Sequence, residues 1–210
     1  MVKRKRDTKW MVGVALMGAI VVLLATTPLG IIMLPVTKAT TVHIPVILGS
    51  VVFGPLAGAI LGGVFGLCSL INNTLTPNLT SFAFSPFMST TGIPGAIKAI
   101  WISTGCRMMI GVIAGWLWIF LKKIKVSDTL ALPIVGFVGS ISNTLLVMGS
   151  IYVLLADQYA QAKNVALTAV FGLIMGTVTA SGIPEAIVAA VLVTVIGKAL
   201  LHLTARMKKR

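Results

Sequence analysis

The chain has 210 residues, 57% of them hydrophobic, with 17 Lys and Arg against 4 Asp and Glu and a net charge of +13. That much apolar surface exceeds what one small soluble core can bury, and the positives flank apolar stretches instead of lining one face, which excludes a soluble nucleic-acid binder. Twelve of the 17 basic residues fall within residues 3–9, 122–125 and 206–210, the pattern of an integral membrane protein with all three clusters on the cytoplasmic side.

The basic tail 1–9 precedes a first helix from about Trp10 to Thr27. This apolar run is long for a signal peptide and lacks a convincing cleavage site, so it is expected to be retained. Pro28, Gly30 and Pro35 then break the pattern into a loop carrying Lys38. His43 to Phe53 and Pro55 to about Leu70 follow, joined at Gly54-Pro55; the first is too short to cross about 30 Å of hydrocarbon upright, so the pair reads as two spans or a re-entrant hairpin. Residues 71–92 are polar and turn-rich and form an outer loop, after which a helix is predicted from Pro94 to the Lys122 cluster. The next helix runs from Asp128 to about Ala156, and residues 157–182 are expected to be an outer loop with a re-entrant or covering helix over Val165 to Ala180. A break at Ser181-Gly182-Ile183-Pro184 starts the last helix, which ends in the basic tail 206–210. The fold class is therefore an all-α membrane protein. It is a single domain over 1–210, a bundle of six transmembrane helices with both termini cytoplasmic and a substrate pocket on the outer side.

An internal echo marks that outer side. Asn73-Thr74-Leu75 and Thr91-Gly92-Ile93-Pro94-Gly95-Ala96-Ile97 reappear as Asn143-Thr144-Leu145 and Ser181-Gly182-Ile183-Pro184-Glu185-Ala186-Ile187. Each Gly-Ile-Pro reads as a helix start, because proline in a first turn lacks an N–H that has no intrahelical partner anyway. Two helix N-termini would then converge on one outer cavity suited to an anionic or carbonyl-bearing solute; the alternative is a shared start signal with no ligand.

Polar residues inside apolar spans are costly, so each needs a partner or water. Arg107 reads as a clamp for a ligand carboxylate, or as a structural partner of Glu185 or of helix-end carbonyls. Glu185 either accepts from ligand hydroxyls or caps its own helix, where the dipole favours it. Asn73 and Asn143 suit a ligand amide or hydroxyl, or interhelical bonding. His43 lies at the outer entrance as a helix-start residue, and His202 is interfacial. Cys68 and Cys106 lie far from any His or acidic cluster and read as packing residues; no metal-ligand spacing, catalytic set or nucleotide loop occurs, so no metal, cofactor or enzymatic activity is expected. Gly54, Gly58, Gly62 and Gly66 leave a groove for close helix packing, internal or between subunits, and Ala15-Leu16-Met17-Gly18-Ala19 offers a small-xxx-small contact on helix 1.

These features meet in the segments His43-Ile44-Pro45-Val46-Ile47-Leu48-Gly49, Asn72-Asn73-Thr74, Thr80-Ser81-Phe82, Phe84-Ser85-Pro86-Phe87, Arg107 and Gly182-Ile183-Pro184-Glu185, together with Ala15 and Ala19. In that order and spacing the chain resembles the substrate-binding S component of an energy-coupling factor (ECF) vitamin transporter, most closely the pantothenate type. The resemblance implies a vitamin-binding subunit of the bacterial plasma membrane. Such a subunit docks through Ala15 and Ala19 on a module of one transmembrane coupling subunit and two ATPase subunits, which hydrolyse the ATP. It also implies toppling in the membrane, with the loops after helices 1, 3 and 5 as gates. His43, Asn73, Ser81, Arg107, Asn143 and Glu185 are the candidate substrate-binding residues. Pantothenate, with a carboxylate, an amide and two hydroxyls, matches that inventory; hydroxymethylpyrimidine or pyridoxine would call for aromatic stacking, for which Phe82, Phe84 and Phe87 are the nearby rings. A stand-alone permease and a cargo-free scaffold are the other readings.

Overall fold

The computed structural model describes residues 8–33, 38–89 and 91–208. The basic tail at residues 1–7 and the last two residues lie outside them. Helix α1 spans Thr8–Thr26 and ends in a 3-10 turn at Pro28–Gly30. Strands β1 (Ile31–Met33) and β2 (Lys38–Thr40) then pair antiparallel, with Ile31 opposite Thr40 and Met33 opposite Lys38. The expected all-α architecture thus gains a small hairpin where only a loop was predicted.

Helices α2 (His43–Phe53) and α3 (Pro55–Leu75) meet at Gly54, as the Gly54-Pro55 break predicts. Gly54 has φ +97°, a conformation that an L side chain resists, and Pro55 supplies a pre-set first helical residue. Two 3-10 turns, Ser81–Ala83 and Pro86–Met88, shape the loop after α3. Helix α4 (Gly92–Ile100) continues through a π turn at Trp101–Gly105 into α5 (Cys106–Lys123). Helix α6 runs from Asp128 to Lys163, with a non-helical residue at Leu155. Helix α7 (Val170–Thr177) continues through a second π turn, Val178–Gly182, into α8 (Ile183–Lys208).

Two boundaries differ from expectation. The helix starting at Asp128 does not end near Ala156 but bends at Leu155 and continues to Lys163. At the bend Lys98 Nζ donates to the Leu154 carbonyl at 2.9 Å, satisfying an acceptor that regular helix would have used. Within the expected outer loop 157–182, residues 170–182 are helical and run without interruption into α8. The Ser181-Gly182-Ile183-Pro184 motif is therefore not a helix start. The wider π turn absorbs the proline: the Ile183 N–H reaches the Val178 carbonyl five residues back. The first copy of the echo does open a helix, at Gly92, and has its own π turn nine residues on, where the Cys106 N–H reaches the Trp101 carbonyl.

Among the described residues, five helical stretches are long and apolar enough to cross a membrane: Thr8–Thr26, Pro55–Leu75, Gly92–Lys123, Asp128–Lys163 and Leu167–Leu203. His43–Phe53 is shorter, about 16 Å at 1.5 Å per residue. Neighbours alternate in direction. Trp10 Nε1 donates to the Phe53 carbonyl at 3.0 Å, so the start of α1 meets the end of α2, and Asn72 Nδ2 donates to the Ala25 carbonyl at 2.7 Å, where α3 and α1 both end.

The glycine groove of α3 is used inside the bundle. A Cβ on Gly58 would lie 2.7 Å from the Gly111 carbonyl oxygen, one on Gly62 2.2 Å from that of Arg107, and one on Gly66 2.7 Å from that of Ser103. The partner number falls as the α3 number rises, so α3 and α5 run antiparallel with backbones in contact. Ser50 of α2 joins them, donating from Oγ to the Val46 carbonyl at 2.9 Å and to the Gly111 carbonyl at 2.8 Å. Helices α6 and α8 pair likewise: a Cβ on Gly136 would meet Ala189 and Ala190 at 2.9 Å, and one on Gly182 would meet Thr144 at the same distance. Apolar cores fill the space between, around Ile47, Ile110, Leu132 and Val193 at one end and around Ile102, Ile151, Leu155 and Val170 at the other.

Candidate functional site

The polar interior lies at the end of the bundle that carries the hairpin, the loop after α3 and the start of α2. Arg107 enters it immediately after the first π turn and Glu185 shortly after the second, so both side chains stand where the helical register shifts. Such turns redirect the side chains that follow them.

Arg107 is 9% exposed. Its guanidinium carbon lies 4.6 Å from the ring centre of Phe65 in α3 and 5.4 Å from that of Phe84 in the following loop, a double cation–π contact. Nη1 donates to the Ile102 carbonyl in the π turn at 3.3 Å, while the buried Nε has no partner. Among the described residues no ion pair joins Arg107 to Glu185 within 4.0 Å. Of the structural roles open to Arg107, the contact with a helix carbonyl is realised and the ion pair is not.

Glu185 is engaged elsewhere. Its Oε1 accepts from the Thr40 backbone N–H at 2.7 Å and from the Thr40 hydroxyl, and it lies 3.9 Å from His43 Nδ1. The His43 ring is fully buried, and neither nitrogen has a hydrogen-bond partner. On α6, Ser140 is 1% exposed with an unpaired hydroxyl, and the buried Asn143 Oδ1 is also unpaired. Ile47 packs on Gly139, so His43, one turn before Ile47, and Asn143, one turn after Gly139, reach the same level of two antiparallel helices. Buried polar atoms are normally paired. In this molecule the exceptions among the side-chain atoms of the described residues belong to His43, Arg107, Ser140 and Asn143.

Asn73 and Ser81 play a different part. Ser81 Oγ donates to Asn73 Oδ1 at 3.0 Å and accepts from the Asn78 N–H at 2.8 Å, and Asn73 Nδ2 donates to the Ser69 carbonyl at 2.8 Å. Thr74 Oγ1 and Ser85 Oγ meet at 2.7 Å. These bonds fasten the loop after α3 onto its own helix and hold Phe84 over Arg107. The structure thus sets Glu185 beside His43, Asn143 at the level of His43 and Arg107 under Phe84, and uses Asn73 and Ser81 to knit the loop after α3. Sequence reasoning passed over Ser140, Phe65 and Thr40. Ser140 was within reach, since it precedes Asn143 by three residues and shares its helical face; Phe65, inside the glycine stripe, reads as packing, and Thr40 becomes visible only through a contact 145 residues away.

Ala15 and Ala19 lie exposed on α1. Met11, Leu16 and Ile20 are exposed on the same helix. A separate shallow depression of about 370 Å³, lined by Asp157, Ala160, Gln161, Asn164 and Val165 at the α6–α7 tip, includes none of the interior polar residues.

Comparison with known proteins gives three findings. The family described as "ECF transporter, substrate-specific component" matches residues 9–197. A relative in Lactococcus lactis subsp. cremoris (strain MG1363), named "Pantothenic acid transporter PanT", is 33% identical over 164 residues, 78% of this chain and 78% of its own length. A solved structure described as "Structure and mechanism of the S component of a bacterial ECF transporter" superposes with a TM-score of 0.53 at 18% identity, covering 96% of this chain and 98% of the other. At that identity the likeness concerns the fold.

Proposed function

The chain belongs to the family of ECF-transporter substrate-specific components, and from that premise we propose that it binds pantothenate in the interior around Arg107 for ATP-driven import. The observation that carries this reading is the buried guanidinium with an unpaired Nε, in a bundle whose other unpaired buried side-chain atoms among the described residues belong to His43, Ser140 and Asn143. A carboxylate on the guanidinium edge gives charge-assisted hydrogen bonds in a dry setting, the strong kind. Asn143 Oδ1 accepts from an amide N–H or a hydroxyl, and Ser140 and His43 each donate or accept. One carboxylate, one amide and two hydroxyls use this set well. The name of the Lactococcus relative supports the same cargo.

Hydroxymethylpyrimidine or pyridoxine is the weaker choice on a specific ground. Both need an aromatic face, and the Phe65 and Phe84 rings are already taken by the Arg107 guanidinium.

The short α2 counts as a sixth crossing, with both termini cytoplasmic and the site opening outward. Ala15 and Ala19 would meet the transmembrane coupling subunit, and ATP hydrolysis would belong to the two ATPase partners. Calorimetry on the purified protein tests the cargo. Submicromolar binding of pantothenate, with no heat from pyridoxine or hydroxymethylpyrimidine, is the expected result; binding of either aromatic vitamin in its place, or of none of the three, overturns it.

A further inference from the structure

Glu185 sits beside the substrate region, yet its hydrogen bonds lead away from it. The first turn of α2 lacks a side-chain cap of its own: Val42 at the cap position has φ −62° and ψ −27° and makes no capping bond. Two outside contacts hold that end instead. The Thr41 N–H donates to the Gly30 carbonyl at 2.8 Å, and the Thr40 N–H and hydroxyl both donate to Glu185 Oε1. A carboxylate at a helix N-terminus also meets the positive end of the helix dipole, and Glu185 Oε1 lies beside the first residue of α2. His43 is the first residue of that helix, and its Nδ1 lies 3.9 Å from the same oxygen.

We propose that Glu185 is a positioning residue: it anchors the N-terminal end of α2 and so fixes the buried His43 ring in the site, without itself contacting the substrate. This rests on the reading of the interior around Arg107 as the substrate site. Thr40 makes the proposal separable from direct binding. It is exposed, whereas His43 is fully buried, and its hydroxyl bonds to Glu185, so a change of that hydroxyl acts on the interior through Glu185.

The experiment uses the full-length protein in lipid vesicles with two readouts. The first needs no ligand: Thr41, 7% exposed, is replaced by cysteine, and its labelling rate by a maleimide is followed. E185A is expected to raise that rate about tenfold by freeing the end of α2. E185Q, whose amide oxygen still accepts from the Thr40 N–H, is expected to stay within about twofold. The second readout is pantothenate affinity, expected to fall about tenfold in E185A and about threefold in T40V, which keeps the backbone donor. The double variant is expected to be no weaker than E185A alone, because both changes break one link. Unchanged Thr41→Cys labelling in E185A overturns the proposal. So does loss of affinity in E185A with T40V silent, which would put Glu185 on the ligand itself. If the wild type binds no pantothenate while E185A still exposes position 41, the anchor stands and the cargo assignment fails.

Discussion

Arg107 is charged, buried and in contact with two rings, yet its Nε has no protein partner. R107A should therefore weaken pantothenate binding on the order of 100-fold, about 3 kcal/mol, through loss of charge-assisted hydrogen bonds. R107K should recover only part of this, because an ammonium neither presents a plane to the Phe65 and Phe84 rings nor pairs bidentately. Calorimetric titration of both variants checks the order wild type, then Lys, then Ala; equal affinities in all three would remove Arg107 from the site. N143A should cost about tenfold, as expected for one lost hydrogen bond to a ligand, with the same measurement as the check. Asn73 offers a contrast. Its polar atoms are spent on Ser69, Ser81 and Asn78, so N73A should act by loosening the loop, seen as faster proteolysis at residues 76–80 with a smaller change in affinity.

The contact between α3 and α5 is backbone on backbone, and on the α3 side its tightest backbone approach is at Gly62. A methyl group there would stand 2.2 Å from the Arg107 carbonyl oxygen, and that oxygen belongs to a helix that cannot move alone. G62A should lower stability by about 2 kcal/mol or more and also weaken binding, since it pushes on the segment that carries Arg107. Thermal unfolding in detergent compared with G149A, where a Cβ meets nothing within 4 Å, is the check.

Most elements at this scale are legible in the sequence, because the marks are local: Gly54-Pro55 parts two helices, Gly92-Ile93-Pro94 opens one and Lys122-Lys123 closes it. Three features are not. Proline at position 184 looks the same to a local rule whether it starts a helix or sits just past a π turn. The bend at Leu155 coincides with Lys98, 56 residues from the carbonyl it reaches. The hairpin has three residues per strand, too few for a periodic signal. The candidate site was legible as a set of costly polar residues in apolar helices. Their division into residues bonded within the protein and residues with unpaired polar atoms was not, because that depends on contacts between distant segments.

For the whole molecule, sidedness and docking are the open physical consequences. With the basic clusters inside, a cysteine at Leu79, 69% exposed in the loop after α3, should react with an impermeant thiol reagent in intact cells, and one at Lys125 should react only after lysis. The reverse pattern would invert the bundle. Ala15 and Ala19 leave a shallow strip on an exposed apolar face, where another helix can approach closely. A15L and A19L should abolish co-purification with an ATPase-bearing module and leave pantothenate affinity within about twofold, since neither residue lies near the interior polar set.

The proposed division of labour, with the cargo held in this chain and ATP hydrolysed in another, is tested directly by uptake of radiolabelled pantothenate into proteoliposomes. Vesicles carrying this protein with the coupling subunit and both ATPases should accumulate pantothenate when ATP is supplied on the side of the ATPases. Vesicles carrying this protein alone should not. Uptake by the lone chain, with or without ATP, would contradict the division and make the protein a self-sufficient permease.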